Sequence, residues 1–248
     1  MRWWLLGWLL AVSSVSATPR VASLNPCYDS WLPTLLPADW QVIATTVHGN
    51  RLEALIELQP DFIIAGSFTD PRLLQQLARI SSLHVIQQPN DYAQWQTEVR
   101  RLGTFVGHPE TAEQWLLQQQ AQLLRLSSQL QEVLIIMPNY YTWAQDSWVA
   151  QLLSNFSVTL VSPFKQGYLG QLRLEQLLTL SAQRVIFEGF SYNYSRGQDW
   201  LYHPAVQRWL NHREISSVSA AIASCPAVNA VAYMQQLVGQ QGEKTDAL

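Results

Sequence analysis

The sequence is short of cysteine and of charge, and each shortage excludes a class of protein. Two cysteines in 248 residues are too few for a small domain that a dense disulfide framework holds together. Charged residues make up 13% of the chain, and 15 basic against 18 acidic side chains leave a formal net charge of −3 without any basic run. Nucleic acids and anionic membrane surfaces are therefore poor partners. At 48% hydrophobic, the chain is apolar enough to fold around a core of its own.

Motifs of common enzyme active sites are also missing. The sequence has no G-x-S-x-G nucleophile elbow, no glycine-rich phosphate loop and no H-E-x-x-H metal motif. The nearest approach to an active site is the set Cys27, His48 and Asp29, which would be a thiol nucleophile with a base. Cysteine, histidine and an acid occur together in many polypeptides, so this set is a weak indication. We predict no catalytic residue, no cofactor and no resident metal.

The first seventeen residues, MRWWLLGWLLAVSSVSA, have the layout of a secretory signal. Arg2 supplies the positive charge, an apolar stretch runs from Trp3 to Val12, and small residues end at Ala17. The apolar stretch is about half as long as the roughly 20 residues that a membrane-spanning helix needs. We therefore expect cleavage after Ala17 and export to the periplasm, an oxidising compartment in which two cysteines can pair.

Short apolar runs alternate with helix-like segments along the rest of the chain. Stretches such as DPRLLQQLARI (70–80) separate these runs, and the Asp-Pro pair that opens this stretch is typical of a capped helix start. The alternation predicts βαβ units and a mainly parallel sheet. The predicted strands are RVASL (20–24), QVIAT (41–45), DFIIAG (61–66) and LHVIQ (83–87).

One helix-and-strand unit occurs twice. RLEALIELQPDFII (51–64) aligns without gaps with RLEQLLTLSAQRVI (173–186), at a constant offset of 122 residues. A helix followed by a buried strand is a common pattern, but the shared RLE opening and the equal spacing favour two related lobes.

A long helix is predicted between the two copies. HPETAEQWLLQQQAQLLRLSSQL (108–130) has no glycine or proline after its first turn, and at about 1.5 Å per residue it would extend roughly 30 Å. We therefore predict an α/β protein with two Rossmann-like lobes of mainly parallel sheet, joined by a single long α-helix. The predicted bounds are 18–107 for the N-terminal lobe, 108–131 for the connecting helix and 132–248 for the C-terminal lobe.

The segments RVASLNPCYDS (20–30), RLEALIELQPDFIIAG (51–66) and LRLEQLLTLSAQRVIFEG (172–189), with the long helix between the last two, resemble a known family. They are similar to the helical-backbone class of periplasmic substrate-binding proteins of ABC importers, which serves vitamin B12, ferric siderophores and haem. The similarity runs from Pro19 to about Leu237. It is closest to a subset with SLN-x-C-x-D at the first strand and SCP near the C-terminus, matched here by SLNPCYD (23–29) and SCP (224–226).

The resemblance implies a monomeric binding protein with two partners. A small-molecule ligand would lie in the cleft between the lobes, and acidic residues on the outer face of each lobe would dock onto an inner-membrane ABC permease. In open parallel sheets, ligands sit beyond the carboxyl ends of the strands, and position 27 is such an end. We therefore expect Cys27 to face the cleft rather than the core.

Three interpretations remain open for Cys27 and Cys225. We place first two free thiols that line the pocket. A disulfide follows closely, although a bond between cysteines of different lobes would hold the cleft shut or nearly so. Metal ligation with His48 comes last, because the sequence lacks the four-ligand spacing of a structural zinc site.

Aromatic residues recur where the fold places its cleft. They cluster in MPNYYTWAQDSW (137–148), FKQGYLGQL (164–172) and EGFSYNYSRGQDW (188–200), and such loops suit a flat, largely apolar ligand. Cationic residues in the loops are few, namely Arg51, Lys165 and Arg196, which favours a large and nearly neutral corrinoid over an anionic ferric siderophore or haem. The predicted ligand-binding residues are Cys27, Tyr28, His48, Phe68, Tyr140, Tyr141, Trp143, Tyr168, Phe190, Tyr192 and Cys225.

Asp70 stands close to where the resembled family carries its first-lobe docking acid, and it also suits a helix N-cap. The offset of 122 gives Tyr192, which is not acidic, as its counterpart in the second lobe, so we expect Glu188 or Asp199 nearby to serve instead. The predicted function is capture of a corrinoid or a ferric-siderophore or other metal chelate for an importer. The alternatives are a periplasmic sensor or interaction protein without a transport role, and a thiol-dependent enzyme that uses Cys27.

Overall fold

A computed structural model describes residues 18–190 and 196–239, so the proposed signal segment and Tyr192 lie outside the described residues. The first lobe is built on a four-stranded parallel sheet of order β2-β1-β3-β4. Its strands are β1 (Arg20–Ser23), β2 (Gln41–Ile43), β3 (Phe62–Gly66) and β4 (Ser82–Ile86). Its helices are α1 (Pro26–Asp29), α2 (Leu32–Leu35), α3 (Thr45–His48), α4 (Leu52–Leu58), α5 (Pro71–Leu77) and α6 (Tyr92–Phe105).

The long helix α7 (Pro109–Ser127) leads to a second lobe with a four-stranded parallel sheet of order β10-β9-β5-β7. The strands of this lobe are β5 (Glu132–Ile136), β6 (Tyr141–Trp143), β7 (Thr159–Leu160), β8 (Leu169–Gln171), β9 (Arg184–Glu188) and β10 (Glu214–Val218). Its helices are α8 (Trp148–Asn155), α9 (Leu174–Thr179), α10 (Pro204–Leu210), α11 (Ala220–Ala223) and α12 (Ala230–Val238). Strands β6 and β8 pair separately as an antiparallel ribbon, and 3₁₀ turns cover Pro138–Tyr140 and Arg196–Tyr202.

The internal repeat is a structural repeat. Helix α4 begins at Leu52 and α9 at Leu174, while β3 begins at Phe62 and β9 at Arg184, so both pairs keep the offset of 122 residues. The two main sheets also share one strand order, since β1 and β5 each lie beside the repeated strand. The prediction of two parallel α/β lobes joined by one long helix is confirmed.

Local details differ from the predicted elements for identifiable reasons. The strand predicted over 41–45 ends at Ile43, because the Asp29 carboxylate accepts hydrogen bonds from the backbone N–H and the hydroxyl of Thr45, which starts α3. The helix predicted over 70–80 is shorter and begins as expected, with Asp70 accepting from the Arg72 N–H at 2.7 Å and with Pro71 as its first residue.

One hydrophobic core is shared by both lobes. It includes Val21 and Ile64 of the first sheet, Leu123 of α7, and Ile135 and Ile186 of the second sheet. Smaller clusters fill the opposite face of each sheet, beneath α4 and α5 in the first lobe and beneath α9 and α10 in the second. The long helix is therefore packed between the lobes as part of their common core, which limits how far they can move apart.

Helices α6 and α7 approach each other closely at Gly103. A Cβ atom at this position would lie 2.4 Å from Cβ of Ala112 and 3.2 Å from the carbonyl oxygen of His108. We expect Gly103→Ala to lower the free energy of unfolding by about 1–2 kcal/mol, because overpacking outweighs the better helix propensity of alanine. Urea unfolding would measure the change. Adding Ala112→Gly should recover part of the lost stability. If Gly103→Ala were more stable than the wild type, the contact between α6 and α7 would not be overpacked by a Cβ atom at position 103.

Candidate ligand-binding site

The carboxyl ends of strands from both sheets meet at the Cys27–Cys225 disulfide. Cys27 follows β1, Cys225 follows β10 and α11, and their Cα atoms are 5.7 Å apart. The expectation of two free thiols lining the pocket is therefore wrong, and the bonded sulfurs also offer no thiolate to a metal or a substrate. Asn25 explains the local geometry, because its side chain accepts from the Cys27 N–H at 2.9 Å and starts α1 directly at the strand end.

Two other predicted ligand-binding residues are structural. His48 is fully buried, its Nδ1 accepts from the Asn50 N–H at 3.0 Å, and its Nε2 therefore donates to the Ser23 carbonyl, also at 3.0 Å. Tyr28 is buried in the shared core, and this burial raises the pKa of its hydroxyl to about 12. Neither side chain is placed to meet a ligand, and the set Cys27, His48 and Asp29 does not form a catalytic arrangement.

Burial lowers the pKa of His48, and this has a consequence for stability. Because the folded pKa lies below the usual value of about 6.5, the unfolded chain binds the proton more readily, and stability is lost as the pH falls below that value. Each pKa unit corresponds to about 1.4 kcal/mol. We expect the loss of stability between pH 7 and pH 5 to be smaller in His48→Gln than in the wild type, as measured by urea unfolding. Equal slopes would exclude His48 as a source of the pH dependence.

A cavity of about 620 Å³ opens at the carboxyl edge of the second sheet. Apart from Gln171 of β8, the segments that form it follow β5 and β9, which is where the loops of a parallel sheet converge. The residues that line it all belong to the second lobe. They are Asn139, Tyr140, Gln171, Arg196, Gly197, Asp199, Trp200, Tyr202 and His203.

An aromatic stack forms one wall of this cavity. Tyr140 stacks on Trp200 with ring centroids 4.7 Å apart, and the Trp200 indole N–H donates to the Gly197 carbonyl at 3.0 Å. The turn after β5 presents Tyr140 through left-handed backbone conformations at Asn139 and Tyr140, with φ of 59° and 61°. Asparagine adopts this conformation readily and tyrosine rarely does, so the backbone at Tyr140 is strained at the cavity wall.

The charges of the residues that line the cavity nearly cancel. Arg196 and Asp199 are both exposed at its rim, and His203 accepts a hydrogen bond from the Ala205 N–H through Nδ1 at 3.2 Å. In the neutral ring the hydrogen therefore resides on Nε2, which is a donor. The cavity thus combines aromatic surface with a few polar groups and little net charge.

The ribbon of β6 and β8 extends the aromatic surface beyond the cavity. Tyr141 is 41% exposed, and Tyr168 is 65% exposed where β8 begins. The opposite face of the ribbon is packed, since Thr142 is buried and Gly170 lies against the Phe164 ring, which leaves no room for a Cβ atom. Gln171 belongs both to the ribbon and to the cavity, so the two surfaces are continuous.

The remaining predicted ligand-binding residues do not lie together. Phe68 follows β3 in the first lobe and is 87% exposed. Phe190 is half-buried against Phe187 and Trp200. Trp143 is half-buried, and its indole N–H is bonded to Glu188.

Of the predicted docking acids, one is misplaced. Glu188 is 3% exposed, so the prediction that it docks onto a permease is wrong. It ends β9 and faces the shared core rather than the outer surface. Asp70 is exposed at the start of α5, and Asp199 is exposed at the cavity rim.

The sequence-based list missed several cavity residues. Trp200, Tyr202 and His203 come from the segment RGQDWLYH (196–203), which folds as a 3₁₀ turn that leads into α10. The closely spaced aromatic residues in this segment were a usable signal. Within residues 18–190 and 196–239, no cluster of three or more histidine, cysteine or acidic residues could hold a metal, and no helix is long and apolar enough to span a membrane.

Solved structures with this fold cover nearly the whole chain. A siderophore-binding protein of Vibrio cholerae, solved with Fe³⁺-Desferal, is 18% identical with a TM-score of 0.63, covering 91% of this chain and 100% of its own. A periplasmic haem-binding protein of the same species is 15% identical with a TM-score of 0.65, covering 89% and 98%. A binding-protein component of a Fep/Fec-like ferrichrome ABC transporter from Bacillus subtilis is 14% identical with a TM-score of 0.65, covering 91% and 96%.

A search of the curated proteins found no match. The family model described as "Periplasmic binding protein" matches residues 21–215, from the first strand of the first sheet into the last strand of the second. With its two parallel lobes, its connecting helix and its cavity at the carboxyl edge of a sheet, the chain belongs to the periplasmic binding protein family.

Proposed function

We propose that this chain is an exported solute-binding protein that captures a metal chelate of low net charge between its lobes and delivers it to an ABC importer. The observation that carries the proposal is the aromatic cavity at the carboxyl edge of the second sheet, with one arginine and one aspartate at its rim. Such a lining favours burial of a large, nearly neutral ligand. Corrinoids and ferric trihydroxamates are chelates of this kind.

The fold supports a mechanism of limited opening. The shared core and the Cys27–Cys225 bond hold the lobes together on one side, so capture and release would involve a small rotation. The exposed Phe68 of the first lobe would then cover a ligand that lies against Tyr140, Tyr202 and the ribbon of the second lobe. Asp70 and Asp199 are the acidic residues that remain candidates for permease docking.

Ligand titration tests the proposal. The protein without residues 1–17 would be titrated by calorimetry and tryptophan fluorescence with cyanocobalamin, cobinamide, ferric desferrioxamine, haem and a ferric catecholate. We expect saturable binding of a corrinoid or of the ferric hydroxamate, whose iron-hydroxamate core is neutral, and weaker binding of haem and of the anionic catecholate. Tight binding of the catecholate alone would overturn the preference for low charge.

Variants identify the surface that binds. Tyr140→Ala and Tyr202→Ala should each weaken binding of the captured chelate by roughly 10-fold to 100-fold, since aromatic anchors contribute most at such sites. Leu117→Ala is the control, because Leu117 is exposed on the long helix and does not line the cavity. If no chelate binds, the alternative of a sensor or interaction protein without a transport role is favoured.

A further inference from the structure

Glu188 is a buried carboxylate at the edge of the candidate site. It ends β9, is 3% exposed, and receives hydrogen bonds from two side chains. The Trp143 indole N–H donates to its two oxygens at 3.1 and 3.2 Å, and the Tyr233 hydroxyl donates to Oε2. Trp143 belongs to the aromatic ribbon, whereas Tyr233 belongs to α12, which packs on the long helix.

No cation offsets the charge of this carboxylate within the described residues. The ion pairs formed there join Arg100 with Glu113, Arg101 with Glu98, and Arg184 with Glu214. Of the elements packed against Glu188, α12 contributes Tyr233, β6 contributes Trp143 and β10 contributes the apolar Val218. Burial raises the pKa of Glu188, and the hydrogen bonds from Tyr233 and Trp143 lower it by less.

Arg184, on the same strand, does not serve as a partner. Its guanidinium lies at the opposite end of β9, where it bonds Glu214 and donates to the Leu237 carbonyl at 2.9 Å. Helix α12 is thus attached to β9 at two points. Arg184 bonds the helix near the C-terminal end of α12, and Glu188 bonds it through Tyr233. The second attachment continues through the carboxylate to Trp143 on the ribbon.

The first lobe shows that the fold does not require an acid at this position. The offset of 122 residues makes Gly66 the counterpart of Glu188, at the end of β3. A Cβ atom at Gly66 would lie 3.3 Å from the Asn25 amide nitrogen and 3.4 Å from the Tyr28 hydroxyl, so neutral groups fill the equivalent space. The carboxylate is therefore a specific feature of the second lobe.

We infer that Glu188 is a positioning residue of the ligand-binding wall, which holds the indole of Trp143 firmly when ionised and less firmly when protonated. The effect on ligand affinity rests on the proposed function, because affinity would change only for a ligand that lies against the ribbon. A charge-assisted hydrogen bond is roughly twice as strong as a neutral one. Protonation would therefore leave the indole less firmly held without unfolding the protein.

Fluorine NMR of the ligand-free protein labelled with 5-fluorotryptophan tests the inference. The Trp143 resonance is assigned by its loss in Trp143→Phe and followed from pH 4.5 to pH 8. We expect it to shift with one midpoint above the usual pKa of a glutamate, and not to shift in Glu188→Gln. Tyr233→Phe removes a donor to the carboxylate and should move the midpoint upward, whereas the Trp209 resonance, whose N–H bonds the Leu180 carbonyl, should not follow it.

Binding of the captured chelate gives the second readout. Affinity should fall about fivefold below the midpoint in the wild type and remain unchanged with pH in Glu188→Gln. A Trp143 resonance that is constant with pH, or that titrates equally in Glu188→Gln, would overturn the inference. Since the NMR result needs no ligand, a titrating Trp143 in a protein that binds no chelate would count against the proposed function alone. Circular dichroism would establish that each variant is folded.

Discussion

Reduction of the Cys27–Cys225 bond is expected to lower the free energy of unfolding by about 4 kcal/mol. The two residues are 198 positions apart, and closing so long a loop in the unfolded chain stabilises the folded state by roughly 5 kcal/mol in the chain-entropy model. Measured losses for native disulfides lie at about 2–5 kcal/mol. Urea unfolding of the mature protein with and without reductant would measure the effect.

A cysteine-free protein provides the control. The double variant Cys27→Ser/Cys225→Ser should have the stability of the reduced wild type and should not respond to reductant. If reduction left the wild type unchanged, the shared core alone would be sufficient to hold the lobes together. Chelate affinity measured on the same samples would show whether the bond also restrains the cleft.

Trp95→Ala is expected to lower the free energy of unfolding by about 3–5 kcal/mol. Trp95 lies on α6, is 2% exposed, and packs against Trp31 with ring centroids 4.9 Å apart. Trp31 in turn meets Trp115 of the long helix, whose indole N–H donates to the Thr34 hydroxyl at 3.1 Å. Removing the Trp95 ring would leave a cavity beside Trp31, where the first lobe joins the connecting helix.

The size of the loss should depend on the volume removed. Trp95→Phe keeps an aromatic ring and is expected to lose clearly less stability than Trp95→Ala, while Leu117→Ala on the exposed side of the long helix should change it by less than about 0.5 kcal/mol. Urea unfolding of the three variants gives the comparison. Equal losses for Trp95→Ala and Trp95→Phe would indicate that the site collapses around the smaller residue.

Periodicity and repetition in the sequence predicted the fold well, because both are properties of local segments. The RLE repeat predicted that α4 and α9, and likewise β3 and β9, begin 122 residues apart, as they do in the structure. The absence of glycine and proline after residue 109 predicted the long helix, which ends at Ser127 rather than at 130.

The site was less predictable, because side-chain burial depends on distant parts of the chain. Cys27 was correctly placed at a strand end, but only the folded structure shows that Cys225 reaches the same place. The sequence predicted that Glu188 is a surface acid, whereas in the structure Tyr233 of α12 covers it. The cavity depends on a 3₁₀ turn at 196–202, for which hydrophobic periodicity gives no clear signal.

The distance of 198 residues between the bonded cysteines also sets an order of events during biogenesis. In the exported protein that we propose, Cys27 would leave the translocation channel long before Cys225, and the elements of the first lobe and the long helix lie between them. Cys27 would therefore remain a free thiol, or a mixed disulfide with an oxidase, until the second lobe had been exported. Because the chain has only two cysteines, a single intramolecular pairing exists, so oxidation alone completes the molecule and a disulfide isomerase has nothing to correct.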